Sequence, residues 1–180
     1  WGKTDNRRCK NLIDHGIRDS SRLLDRYIDY ILNVPNIFQV DREGKVEASE
    51  GTILDRLINL EKRGELRDED INSCLHQIFT NVRIKRFIEV RGADRPPLGY
   101  EMAPVAFWTG VLTEDSIREK ILDETSTWSY EDRIKFNNAS LSLDDNVLTV
   151  KDKKYSYWNS WFGELAILGL KKRGLGEEVL

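Results

Sequence analysis

Between Val82 and Arg91 apolar and charged residues alternate. Val82, Ile84, Ile88 and Val90 share one parity, with Arg86 the exception, and Arg83, Lys85, Phe87, Glu89 and Arg91 share the other. A period of two sends successive side chains to opposite faces, so this segment is predicted as a strand with an apolar face for the core. Its other face presents three cations and one carboxylate, and Gly92 ends it. The segments around it have helical spacing instead, which predicts an α+β fold dominated by helix with one central strand.

The first helix is expected after Asp19-Ser20-Ser21, good N-cap residues, with Leu23, Leu24, Tyr27, Ile28, Ile31 and Leu32 as its core stripe. Pro35 stops it. Ile37–Val40 and Lys45–Ala48 flank Asp41-Arg42-Glu43-Gly44 and predict a hairpin. Further helices are expected over 52–62, stopped by Gly64, and from Asp68-Glu69-Asp70 to about Phe79. Three more follow over 103–112, 115–124 and 130–138, then a short hairpin around Asp144-Asp145-Asn146. The last helix carries Trp158, Trp161, Phe162, Leu165, Ala166 and Leu168 and closes on Lys171-Lys172-Arg173-Gly174. The five tryptophans read as core or interface packing.

With 180 residues, 39% hydrophobic and 33% charged, the chain can bury a core and excludes a disordered tail or a disulfide scaffold. A net charge of -3 argues against a nucleic-acid groove. Cys9 and Cys74 form no CxxC pair, and they predict a reduced, cytoplasmic compartment. No apolar run reaches the roughly 20 residues of a membrane span, so no membrane partner is expected. The chain opens on Trp1 rather than Met, as expected of a piece of a longer protein.

The charged strand face is the main chemical signal. A carboxylate flanked at two-residue steps by cations suits a divalent metal and the phosphates it bridges; the bland alternative is an exposed sheet face with cross-strand ion pairs. His15 and His76 lack zinc spacing, and no P-loop, G-x-S-x-G or G-x-G-x-x-G occurs.

The string from Ile78 to Asp94, I-F-T-N-V-R-I-K-R-F-I-E-V-R-G-A-D, closely resembles the signature I-F-P-E-V-R-L-K-R-Y-L-E-M-R-G-A-D of the plant and proteobacterial type of glutamate–cysteine ligase. Four further stretches resemble family segments in the same order. Thr4–Cys9 is similar to T-D-x-x-R, and Arg26–Pro35 to Y-V-D-Y-A-L-D-V-P. Ala103–Gly110 is similar to L-P-A-F-W-V-G, and Leu170–Gly174 to L-x-R-R-G. The resemblance implies a glutamine-synthetase-like catalytic fold with an antiparallel sheet, of which 1–180 is a single C-terminal portion. It also implies ATP- and Mg²⁺-dependent joining of the glutamate γ-carboxyl to the cysteine amine through a γ-glutamyl phosphate. By that resemblance Glu89 is a magnesium ligand and catalytic, and Arg91 contacts phosphate and is catalytic. Arg83 and Lys85 join Arg91 as nucleotide-binding cations, and Arg8 and Asp94 are further candidates.

Thr80-Asn81 replaces the family's Pro-Glu, Arg95-Pro96-Pro97-Leu98 replaces its Gly-Gly-Pro-Trp, and Cys74 stands where the family often has His. These departures leave open a ligase with another amine acceptor. The family's N-terminal half lies upstream of Trp1, so that remainder is an expected partner and the isolated piece is expected to be inactive. A non-catalytic helical interaction or regulatory module is the alternative from another class.

Overall fold

The computed structural model describes residues 4–144 and 146–179, an α+β chain in two compact units, Trp1–Ala93 and Asp94–Leu180. The first unit runs β1 (Cys9–Lys10), a 3-10 turn (Leu12–His15), α1 (Leu23–Asn33), β2 (Phe38–Val40), β3 (Val46–Ala48) and α2 (Ile53–Lys62). It continues through α3 (Asp68–Leu75), β4 (Phe79–Thr80), β5 (Val82–Ile84) and β6 (Ile88–Val90). Its strands pair as three two-stranded sheets: β1 with β4 in parallel, β2 with β3 and β5 with β6 antiparallel.

Helix α1 forms where the apolar spacing puts it, but its entry is not capped by the Asp19–Ser21 side chains. Arg22 takes the left-handed conformation at φ 48°, while Asp19 accepts from the Ser21 amide at 2.8 Å. The expected stripe is also wider than the surface that covers it. Tyr27 and Ile31 are buried, whereas Leu24 and Ile28 on the outer edge stay exposed. Beyond Pro35 the chain is tied to the start of α2, because the amides of Asn36 and Ile53 donate to the carbonyls of Gly51 and Val34, each at 2.9 Å. Thr52 and Asp55 close a capping box over α2. The core gathers Ile17, Tyr27, Ile31, Val34, Ile53, Cys74 and Ile78, each fully buried aliphatic being worth about 1.5–3 kcal/mol.

The central strand expected over 82–91 is instead a hairpin. Its register opposes Val82 to Val90, Arg83 to Glu89 and Ile84 to Ile88, and the Lys85 amide donates to the Phe87 carbonyl at 3.0 Å across the loop. Residues directly opposite share a face, so folding back about Arg86 preserves the parity of the sequence. Arg86, the exception in the alternation, sits exposed in that loop. Burial is partly inverted, however: Ile88 is 67% exposed and Arg83 only 7%. The buried guanidinium is stable there because carbonyls and a carboxylate receive it. Helix α3 likewise stops at Leu75, short of Phe79, as the chain turns into β4.

The second unit comprises α4 (Ala103–Thr113), α5 (Asp115–Ser126), α6 (Tyr130–Ala139), a 3-10 turn (Val150–Asp152), α7 (Tyr155–Arg173) and a last 3-10 turn (Glu177–Val179). Pro104 sits in the first turn of α4, where its missing N–H costs nothing, and Gly174 ends α7 at φ 67°. Helices α4 and α7 cross at two glycines. A Cβ on Gly110 would collide with the Ala166 carbonyl, and one on Gly169 with the Gly110 carbonyl. Trp128, Val150 and Trp158 form an aromatic core with Phe136, Trp161 and Phe162 around it. The hairpin expected around 144–146 is not formed: Leu141 and Leu143 are exposed, and Leu148 instead bridges to Lys154. Asp145 and Trp1 lie outside the described residues. Among the described residues no helix is long and apolar enough to cross a membrane.

Candidate functional site

The β5–β6 hairpin brings four of the sequence-predicted site residues onto one face. Arg83 and Glu89 are cross-strand partners, and the guanidinium grips the carboxylate with Nη2 at 3.0 Å from Oε1 and 2.8 Å from Oε2. Its Nε adds a bond of 3.0 Å to Oε2. Arg91 Nη1 donates to Oε1 at 2.6 Å, and Lys85 Nζ lies 3.3 Å from Oε2. Three cations thus share one carboxylate, leaving the cluster two positive charges in excess.

Fixed donors hold the Glu89 carboxyl in its charged form. The Arg83 bonds contribute most, with Arg91 and Lys85 adding to them, and lower its pKa from 4.5 to about 2. The second η-nitrogen of Arg83 donates to the Ile78 carbonyl at 3.0 Å and the His76 carbonyl at 3.4 Å. Arg91 differs. Its guanidinium lies over the Phe79 ring at 5.7 Å, and its Nε is buried with no hydrogen-bond partner among the described residues.

Arg8 lies outside this cluster but supports the segment beside it. Its guanidinium is buried, donating to the Pro35 carbonyl at 2.7 Å, the Gln77 carbonyl at 3.2 Å and Asp5 at 2.8 Å. Its own carbonyl accepts from the Phe79 amide at 2.7 Å. Arg8 thereby ties down the 77–79 stretch that supplies a carbonyl to Arg83. Asp94 is exposed and belongs to the second unit.

Two supports were not foreseen from sequence. The Tyr27 hydroxyl accepts from the Ile84 amide at 3.1 Å, tying α1 to the hairpin. Gln77, fully buried, accepts from the Ile37 amide at 2.6 Å and donates to Asn36 Oδ1 at 2.8 Å. A tyrosine inside an aliphatic stripe does announce a hydroxyl that needs a partner; nothing local says which.

A magnesium ion takes about six oxygens. Among the described residues no group of three His, Cys, Asp or Glu side chains is placed to hold a metal, and three cations already occupy the Glu89 oxygens. The described residues do not by themselves fit magnesium.

Comparison with known proteins agrees with the resemblance seen in the motifs. The chain is 35% identical over 180 residues to glutamate–cysteine ligase A, chloroplastic, of Oryza sativa subsp. indica, covering 97% of this chain and 35% of the relative. The Medicago truncatula glutamate–cysteine ligase, chloroplastic, is 31% identical over 180 residues, covering 98% and 35%. That of Nicotiana tabacum, also chloroplastic, is 32% identical over 185 residues, covering 98% and 34%. The chain therefore spans about a third of the length of these relatives. Their names correct the expected cytoplasmic location, since all three are chloroplastic. Two buried cysteines that form no disulfide carry no information on which compartment holds the protein. The description "Glutamate-cysteine ligase family 2" matches residues 1–148, and with that match over the hairpin and its supports the chain belongs to the glutamate–cysteine ligase family.

Proposed function

We propose that the whole protein of which this chain is part joins the glutamate γ-carboxyl to the cysteine amine at the expense of ATP. In this reading a γ-carboxylate oxygen attacks the γ-phosphorus and ADP leaves. The cysteine amine then attacks the acyl carbon, phosphate leaves, and the amine loses its proton to solvent. Negative charge accumulates on the transferred phosphoryl group, and preorganised cations lower its energy. The observation that carries the reading is one carboxylate shared by three cations, with the Arg91 Nε–H lacking an acceptor among the described residues.

Arg91 is assigned the phosphoryl contact, since guanidinium N–H groups match phosphate oxygens. Lys85 adds positive charge from the adjoining loop. Arg83 anchors Glu89, and Glu89 positions Arg91. Magnesium at Glu89 would need oxygens beyond those of the described residues. Residues 1–180 are read as a portion of a larger glutamine-synthetase-like catalytic domain, inactive when isolated.

The test is ATP-dependent phosphate release by the full-length protein with glutamate and a panel of amines, comparing wild type with Arg91→Gln and Glu89→Gln. Release that needs glutamate and cysteine together is expected. It should fall by about 10²-fold or more in Arg91→Gln, the scale of losing one charge-stabilising donor. Release with a different amine would change the acceptor, and no release with any amine would overturn the ligase reading. Turnover by the 180-residue chain alone would overturn its inactivity.

A further inference from the structure

On the charged face of the β5–β6 hairpin two buried polar atoms lack a partner among the described residues, and they belong to residues that lie opposite each other. One step beyond the β5–β6 register the Arg91 amide donates to the Asn81 carbonyl at 2.7 Å. Asn81 therefore continues the parity of Arg83 and shares the side of Glu89 and Arg91. Directly opposed residues hold their Cβ atoms about 4.5–5.5 Å apart. The two atoms are Asn81 Oδ1, an acceptor, and Arg91 Nε, whose hydrogen is a donor. Each carries a desolvation cost that a bond between them would remove.

Asn81 is fixed on its other sides. Its amide donates to the Lys10 carbonyl at 2.8 Å, and its Nδ2 donates to Asn11 Oδ1 at 2.7 Å. The second bond orients the side-chain amide and leaves Oδ1 as the end without a partner. Gly92 runs against it, since a Cβ there would stand 3.4 Å from Asn81 Cγ. Lys10 sits at φ 78°, a left-handed conformation that a lysine keeps only where its surroundings hold it. The Arg91 guanidinium is held less firmly. Among the described residues its one hydrogen bond runs from Nη1 to Glu89 at 2.6 Å, and the Phe79 ring lies below it.

We infer that Asn81 is the positioning residue for Arg91, receiving the Nε–H on Oδ1 as the two η-nitrogens turn from Glu89 to a phosphoryl group. The inference rests on the assignment of Arg91 to the phosphoryl contact. The bond from Nη1 to Glu89 is exchanged for one of the same charge-assisted kind, and both unpartnered atoms are satisfied in addition. Glu89 stays paired, because Arg83 and Lys85 remain on it. A guanidinium anchored through Nε presents its η-nitrogens as a fixed fork, which fits two phosphate oxygens. Asn81 touches no substrate in this arrangement and acts through Arg91.

The experiment is a double-mutant cycle in the full-length protein, read as ATP affinity by titration calorimetry in the absence of amine. Asn81→Leu removes the acceptor at similar size, and Asn81→Ser withdraws it without adding apolar bulk, so that a folding failure of the first leaves the second. Arg91→Lys keeps a cation but has no Nε–H. Asn81→Leu and Asn81→Ser should each weaken ATP binding about tenfold beside Arg91, the scale of one charge-assisted hydrogen bond. In the Arg91→Lys background the same changes should cost less than about twofold. Asn81→Asp, which keeps an acceptor of the same shape, should retain the affinity of wild type. Equal losses in both backgrounds, unchanged affinity in Asn81→Ser, or no ATP binding by wild type would each overturn the proposal. Phosphate release with glutamate and cysteine is measured beside it. No release with the cycle intact would sink the ligase reading and leave the role of Asn81 standing, whereas release without coupling would sink that role alone.

Discussion

The Glu89 carboxylate is both the keystone of the cation cluster and its pH-sensitive part. Its pKa is lowered to about 2 in the folded chain, against an ordinary value of 4.5. A carboxyl depressed on folding stabilises the fold above its unfolded pKa, and that contribution is lost as pH falls through the folded one. Urea unfolding between about pH 5 and pH 2 should therefore show wild type losing on the order of 2 kcal/mol more than Glu89→Gln. Parallel pH profiles would mean that the carboxylate is not held as described. The charged parity of Arg83, Lys85, Glu89 and Arg91 was legible from letters alone, because a period of two sorts side chains without any knowledge of the partner. What could not be read was that Arg83 is buried and that Arg91 Nε finds no acceptor among the described residues. Those facts depend on the carbonyls of His76 and Ile78 and on the Phe79 ring.

At the scale of elements, helix boundaries followed from start and stop signals at Thr52, Gly64 and Gly174, whereas the end of α3 at Leu75, short of the expected Phe79, did not. The strand of 82–91 did not, since alternation cannot distinguish one long strand from two short ones folded about an odd-numbered loop. The α4–α7 crossing was equally hidden, because Gly110 and Gly169 are far apart in sequence and neither sits at a turn. Glycines on α7 should answer substitution with opposite signs. Gly163→Ala meets no atom within 4 Å and should stabilise the protein by about 0.5–1 kcal/mol through helix propensity. Gly169→Ala drives a methyl into backbone and should destabilise by about 1–3 kcal/mol or more. Thermal unfolding of the two variants checks both signs, and equal shifts would remove the close crossing.

Across the whole molecule, the two units carry cores of different chemistry. The first is built on aliphatic residues around Tyr27 and Ile53, and the second on Trp128, Trp158 and their aromatic neighbours. Three of the five tryptophans, Trp128, Trp158 and Trp161, belong to the second core, so their share of the fluorescence reads it, while a change in the first is followed by circular dichroism. Ile53→Ala, at a position with no exposure, should cost about 2–5 kcal/mol by the second method. A negligible cost would argue against the described core. Tyr27, Ile31, Ile53, Trp158 and Phe162 of the two cores were visible in helical stripes, whereas the division after Ala93 was not, because no run of glycine, proline or serine marks it. The register of the β5–β6 hairpin also bears on how such a chain can change its length. Three residues, Lys85 to Phe87, separate the strands, and opposite residues share a face. Faces are therefore set by the pairing and not by the number of loop residues: a two-residue loop that kept Ile84 opposite Ile88 would leave Glu89 beside Arg83, while the alternation that announces the charged face in the sequence would be broken.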